Sequence, residues 1–119
     1  HFLGPIPYPE VISEIRCLDV ALIPHLDNPI SRNMDPMKLY LFLGLGIPIV
    51  STRFSGIEKF GEFIHVGNDA ESIIHMINKV LNQDSSDLNS WREKVLLFLK
   101  DHTWENRVSD IFNAIDNMR

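Results

Sequence analysis

At 119 residues the chain is long enough to bury one core without disulfides or a structural metal, and 45% hydrophobic with 23% charged residues is ordinary for a folded globular domain. The formal net charge of −5 excludes a duplex-binding surface, which needs clustered Lys and Arg against phosphates, so no nucleic acid partner is expected. One cysteine, Cys17, cannot close an internal bridge; set among apolar residues, it reads as a buried thiol in a reducing compartment.

In chain order, "HFLG" (1–4) is a short apolar run stopped by Gly4 and Pro5, which predicts a strand. The chain thus opens inside a structural element and reads as a piece of a longer protein. In "EVISEIRCLD" (10–19), Val11, Ile12, Ile15 and Leu18 recur at helical spacing. "VALIP" (20–24) is a continuous apolar run of strand length, the pattern of a parallel sheet covered on both faces. A polar loop, "HLDNPISRNMD", leads to residues 36–45, which are apolar almost all round and predict a buried helix ended by Gly46 as a left-handed cap. "IPIVST" is the next strand, "RFSGIEKFGE" a Gly-punctuated loop and "FIHVG" another strand. Asp69 can cap the helix "AESIIHMINKVLNQ". "DSSDLNS" reads as a turn-rich connection. "WREKVLLFLKDH" and "TWENRVSDIFNAIDNM" are two further helices, the second opened by Thr103 with Asn106 in place of the usual capping-box acid.

This alternation predicts an α/β domain: a Rossmann-like, mostly parallel sheet of about four strands with flanking helices and two C-terminal helices. Ligands of such sheets bind at the carboxyl ends of the strands, here residues 24–34 and 51–61. The start of the helix at Pro36 offers unpaired N–H groups and a positive dipole end to an anion, although Pro there is also a good helix starter. Asp35 would oppose an anion and Lys38 would partly offset it. Among five histidines, none pair at i, i+4 and no cysteine cluster joins them, so no metal site is expected. His25 follows a strand directly and would enter the cleft, or else lies solvated in the loop. Ser31, Ser51 and Ser55 have no nucleophile elbow around them. Glu58 and Glu62 would bind hydroxyls or stand as solvated charges. Trp91 and Trp104 read as packing anchors.

Together, "HFLGPIPYPEV", "LDVALIPHLDNPISRNMDPMKLYLFLGLGIPIVST", "GIEKFGEFIHVGND" and "HTWENRV" resemble, in order, the C-terminal domain of GT-B fold, group 1 (family 4-like) glycosyltransferases. The resemblance covers nearly the whole chain. The family's donor segment, P-x-K-x-Y-E-Y-L-A-x-G-x-P-V-V, stands here as Pro36, Lys38, Tyr40, Leu41, Phe42, Leu43, Gly44, Gly46, Pro48, Ile49 and Val50. It implies one truncated donor-binding domain (1–119) of a retaining, two-domain enzyme of polysaccharide biosynthesis. That enzyme would be cytoplasmic or membrane-peripheral and would move a sugar from a nucleotide diphosphate to a glycan or lipid-linked acceptor. No cofactor or metal is implied. Ser31, Asp35, Pro36, Met37, Lys38 and Leu41 would form the diphosphate and nucleotide site, with the Met37 and Lys38 N–H groups at the diphosphate; His25, Asn28 and Asn33 would lie in the cleft. The acceptor would belong to a separate N-terminal domain, and this part alone would be inactive.

Three positions depart from the pattern. The ribose-binding Glu of the family is Leu41, a second Glu eight positions earlier is Asn33, and Asp35 replaces a Ser or Asn. Losing a charge-assisted hydrogen bond costs about 1.5–3 kcal/mol, about ten- to hundredfold in affinity. The alternative is therefore a catalytically inactive, glycosyltransferase-like interaction or regulatory module. In the family, further strands lie between "HFLG" and "VALIP", so here those two would pair directly or leave an apolar sheet edge open to self-association as a homo-oligomer.

Overall fold

The computed structural model describes residues 2–26 and 28–118. Three strands, β1 (Ala21–Ile23), β2 (Ile49–Thr52) and β3 (Ile64–Gly67), form a parallel sheet in the order β1-β2-β3. Ala21 pairs with Ile49, and Ile49 in turn with Ile64. Five α-helices accompany the strands: α1 (Tyr8–Ile15), α2 (Met37–Gly44), α3 (Ala70–Leu81), α4 (Ser85–Lys100) and α5 (Trp104–Asp116). The Rossmann-like α/β class is as expected.

The core follows from burial patterns along these elements. Ile15 of α1, Leu39 and Leu43 of α2 and Val95 of α4 cluster with Ile23, Ile49 and Ile64 of the strands. Val50 points to the opposite face from Ile49. It is buried outside that cluster, as is Val80 of α3, the helix that packs on β2 and β3. β2 is thus covered on both faces, whereas β1, expected to be covered on both, leaves Leu22 49% exposed, because α3 packs on β2 and β3.

Helix ends are well explained locally. Gly46 adopts φ +71, and Ile47 N–H donates to Phe42 O while Gly46 N–H donates to Leu43 O, each at 2.9 Å. That bonding pattern is a Schellman stop, and it aims the chain directly into β2. Asp69 caps α3 by accepting from Ser72 N–H at 2.8 Å, and Ser72 Oγ accepts in return from Asp69 N–H.

Three expectations are corrected. Phe2–Gly4 form no strand: Phe2 is fully exposed, Gly4 turns left-handed, and no neighbouring strand supplies a ladder; His1 lies outside the described residues. The sheet therefore has three strands, with β1 at its edge. Residues 85–90, expected as a turn, are the first turns of α4. There Asp87 complements the helix dipole, and Leu88 and Trp91 continue the spacing that reaches Val95 and Phe98. Cys17 is exposed rather than buried, because α1 ends at Ile15 and the thiol falls on the following turn. No helix of the described residues is long and apolar enough to cross a membrane.

Candidate functional site

The carboxyl ends of all three strands open onto one cleft of about 800 Å³, lined among others by His25, Arg32, Thr52, Arg53, Phe54 and Asn68. Side chains extend the sheet into it. Beyond the last β1–β2 pair, Thr52 Oγ1 accepts from His25 N–H and donates to His25 O, both at 2.7 Å. Below it the fully buried Ser51 hydroxyl lies 2.9 Å from Ile23 O and 2.8 Å from Thr52 O. These bonds fix where the loop after β1 leaves the sheet.

His25 stands at the cleft, its ring edge-on to Phe54 with centroids 6.1 Å apart. Burial, and then the positive charge of Lys38, lower its pKa below the usual 6.5, so the imidazole is neutral near pH 7. Its Nε2 is buried and has no hydrogen-bond partner. Arg53 reaches Glu58 at 3.2 Å across an exposed rim. Arg32 and Arg53 thus bring guanidinium groups to the cleft lining and Glu58 a carboxylate.

The loop preceding α2 is held from within. Asn28 Oδ1 accepts from Ile30 and Ser31 N–H groups. The buried Ser31 hydroxyl accepts from Asn28 N–H at 3.0 Å and sits 2.5 Å from Leu26 O. Asn33 Nδ2 donates to Pro29 O at 2.8 Å. At the helix start Pro36 occupies the cap position, and no side chain caps the first turn. Asp35 turns elsewhere: its Oδ1 accepts from Lys59 Nζ at 2.6 Å and its Oδ2 lies 3.7 Å from Arg107. Burial works to lower the Lys59 pKa, but hydrogen bonds with Asp35 and Tyr40 outweigh it and hold the ammonium above its usual value. The carboxylate that threatened an anion at this helix start is thus engaged by two cations.

A second cleft, about 530 Å³, opens between α2 and α5, with Asp35, Met37, Tyr40, Trp104, Arg107 and Asp110 among its walls. Arg107 donates to Tyr40 Oη at 3.1 Å. His102 Nδ1 lies 2.9 Å from Phe98 O, which makes Nδ1 the protonated nitrogen and leaves Nε2 an acceptor when the ring is neutral.

The residues expected at the site are therefore divided. His25 lines the strand-end cleft, Asp35 and Met37 line the second, and Lys38 is exposed between them, close enough to act on His25. Ser31 and Pro36 are buried. Asn28 and Asn33 brace the loop, and Leu41 packs against the core. Glu58 and Glu62 pair with Arg53 and Lys94. Arg32, Arg53, Lys59 and Arg107 were not expected. Lys59 and Arg107 meet Asp35 and Tyr40 across 24 and 67 residues of sequence, beyond any local pattern, whereas Arg32 and Arg53 fall within the strand-end loops and were legible as positive charge there. Among the described residues no group of His, Cys, Asp or Glu could hold a metal ion.

No family model matches the chain, and no solved structure does. Among curated proteins, it is similar to the Bacillus subtilis (strain 168) protein named "Putative teichuronic acid biosynthesis glycosyltransferase TuaH". The two are 27% identical over 89 residues, which is 71% of this chain and 22% of that protein. The chain thus spans about a fifth of that relative's length and has a glycosyltransferase-like relationship to it.

Proposed function

We propose that this chain is the donor-binding part of a glycosyltransferase, holding a nucleotide diphosphate sugar for transfer to a glycan or lipid-linked acceptor bound elsewhere in the whole protein. The observation that carries this reading is the strand-end cleft, lined by His25 and Arg53, near an uncapped helix start whose Lys38 acts on His25. Unpaired N–H groups of the first turn of α2 and the guanidinium group of Arg53 suit the diphosphate oxygens. His25, neutral near pH 7, lines the cleft without adding charge. The retaining GT-B, group 1 assignment rests on the sequence resemblance. In such a site the leaving diphosphate is stabilised by fixed dipoles and cations rather than by a protein nucleophile.

Titration of the chain with UDP-, GDP- and TDP-sugars, followed by amide chemical shifts, tests the reading. Saturable shifts are expected at residues 25, 32, 36–38 and 52–56 with at least one donor. A second reading, an inactive module that keeps the fold, is favoured by Leu41, which packs against the core and offers a ribose no acceptor. It expects Leu41→Glu to create no donor binding; a clear gain of binding in that variant counts against it.

A further inference from the structure

The cleft between α2 and α5 has a chemistry unlike that of the strand-end cleft. Trp104 stands in its wall with 71% of its surface exposed, although an indole is among the side chains with most apolar surface to bury. Met37, Ile111 and Ala114 extend the apolar lining. Around it stand groups that hydrogen-bond: Arg107, Asp35 and Asp110. Asp110 has no ion-pair partner among the described residues.

These features discriminate between ligands. The cations near the cleft, Arg107 and Lys59, are both already engaged with Asp35, and Asp110 adds a further carboxylate, so a phosphate finds no cation here without a competing carboxylate. A plain hydrocarbon would cover the polar groups without bonding them, which costs free energy for each one buried. A pyranose ring satisfies both requirements. Its C–H face can rest on the indole, while its hydroxyls donate to carboxylates and accept from a guanidinium. A volume of about 530 Å³ is within the range of ordinary ligand pockets and suits a short oligosaccharide. We propose that this cleft binds a neutral saccharide, with Trp104 as the stacking platform and Asp35, Arg107 and Asp110 as hydroxyl partners. The proposal does not rest on the donor reading, because its ligand carries neither nucleotide nor phosphate.

The chain contains two tryptophans, and the other, Trp91, keeps its indole nitrogen buried; their indole N–H resonances therefore serve as reporter and internal control. Maltotriose, cellotriose and triacetylchitotriose are titrated separately into the ¹⁵N-labelled chain at millimolar concentration, with inorganic phosphate as a fourth titrant. The expected result is a saturable shift of the Trp104 signal with at least one trisaccharide and none of the Trp91 signal. Asp110→Asn should weaken that binding about fivefold, the equivalent of about one neutral hydrogen bond. Ala114→Leu, which fills the cleft from its wall, should abolish it. The proposal is overturned if no trisaccharide moves Trp104 saturably or if both indoles move together. It is equally overturned if phosphate is the better titrant, or if the shift survives in a folded Ala114→Leu variant.

Discussion

The strand-end cleft meets the α2 start through Lys38 acting on His25, while the α2–α5 cleft takes Asp35 and Met37 of that start into its walls, and the two differ in their surroundings. One gathers Arg32 and Arg53 beside a neutral His25; the other pairs an exposed Trp104 with Asp35, Asp110 and Arg107. A helix start alone therefore does not decide the ligand. The side chains that long-range packing brings to each flank do, and Asp35 is the pivot: bound to Lys59 and near Arg107, it takes its charge away from the strand-end side and contributes it to the other.

The largest expected effect is at Gly67, which lines the strand-end cleft. A Cβ there would stand 2.8 Å from the backbone nitrogen of Ile73 as well as from its side chain. Gly67→Ala must push α3 from β3, at a cost of about 1–3 kcal/mol or more. Urea denaturation should show a lower midpoint, while the Trp104 indole signal of the still-folded protein stays in place. An unchanged midpoint would contradict the close contact of Gly67 with Ile73, and a moved Trp104 signal would show that the two clefts are not supported separately.

Next is Arg53→Ala. If the diphosphate lies among the strand-end cations, nucleotide-sugar affinity should fall about tenfold, one charge-assisted hydrogen bond's worth. Stability should change by less than about 1 kcal/mol, because the pair with Glu58 is exposed. Trisaccharide shifts at Trp104 should be unaffected, and calorimetry on the same sample separates these outcomes.

Asp35→Asn sharpens the pivot. The pair with Lys59 is between a third and half exposed, so its loss should cost no more than about 1 kcal/mol and should shrink further in high salt. Removing the carboxylate should tighten nucleotide binding at the α2 start and weaken trisaccharide binding. Equal movement of both in one direction would contradict the division of labour.

The smallest effect is in pH. His65 on β3 is held below its usual pKa of 6.5 by burial and then by Lys79, and His25 is shifted the same way. As pH falls below 6.5 the unfolded chain takes up these protons before the folded one does. Their contribution to stability is therefore complete above pH 6.5 and is lost progressively below it. Urea midpoints measured from pH 8 to pH 5, as a suitable ~3-unit window around the histidine range, should decline only on the acid side, and less steeply in His65→Gln.

Much of the fold could be read locally. The Gly46 stop and the Asp69 cap are decided by neighbours in sequence, and both are as expected. The unbroken apolar run of β2 announced a strand covered on both faces, but the same signal misled at β1, an edge strand whose Leu22 is exposed. Phe2–Gly4 misled because an apolar run specifies a strand only where a partner offers a ladder. Residues 85–90 misled because Ser, Asp and Asn suit a helix's first turns as well as a loop. The candidate site was legible in part: the α2 start and His25 were, since strand-end and helix-start signals are local. The Asp35–Lys59–Arg107 group was not, since it joins three loops and helices far apart in the chain. Trp104, taken for a packing anchor, is exposed in a cleft instead.

The most direct test of the central claim is an amide-shift titration of the chain with UDP, GDP and TDP, with and without their sugars. The account predicts saturable shifts for at least one nucleotide, concentrated at residues 25, 32, 36–38 and 52–56 and lost in proportion with Arg53→Ala. Absence of saturable shifts with every nucleotide, or shifts confined to the Trp104 cleft, would contradict it.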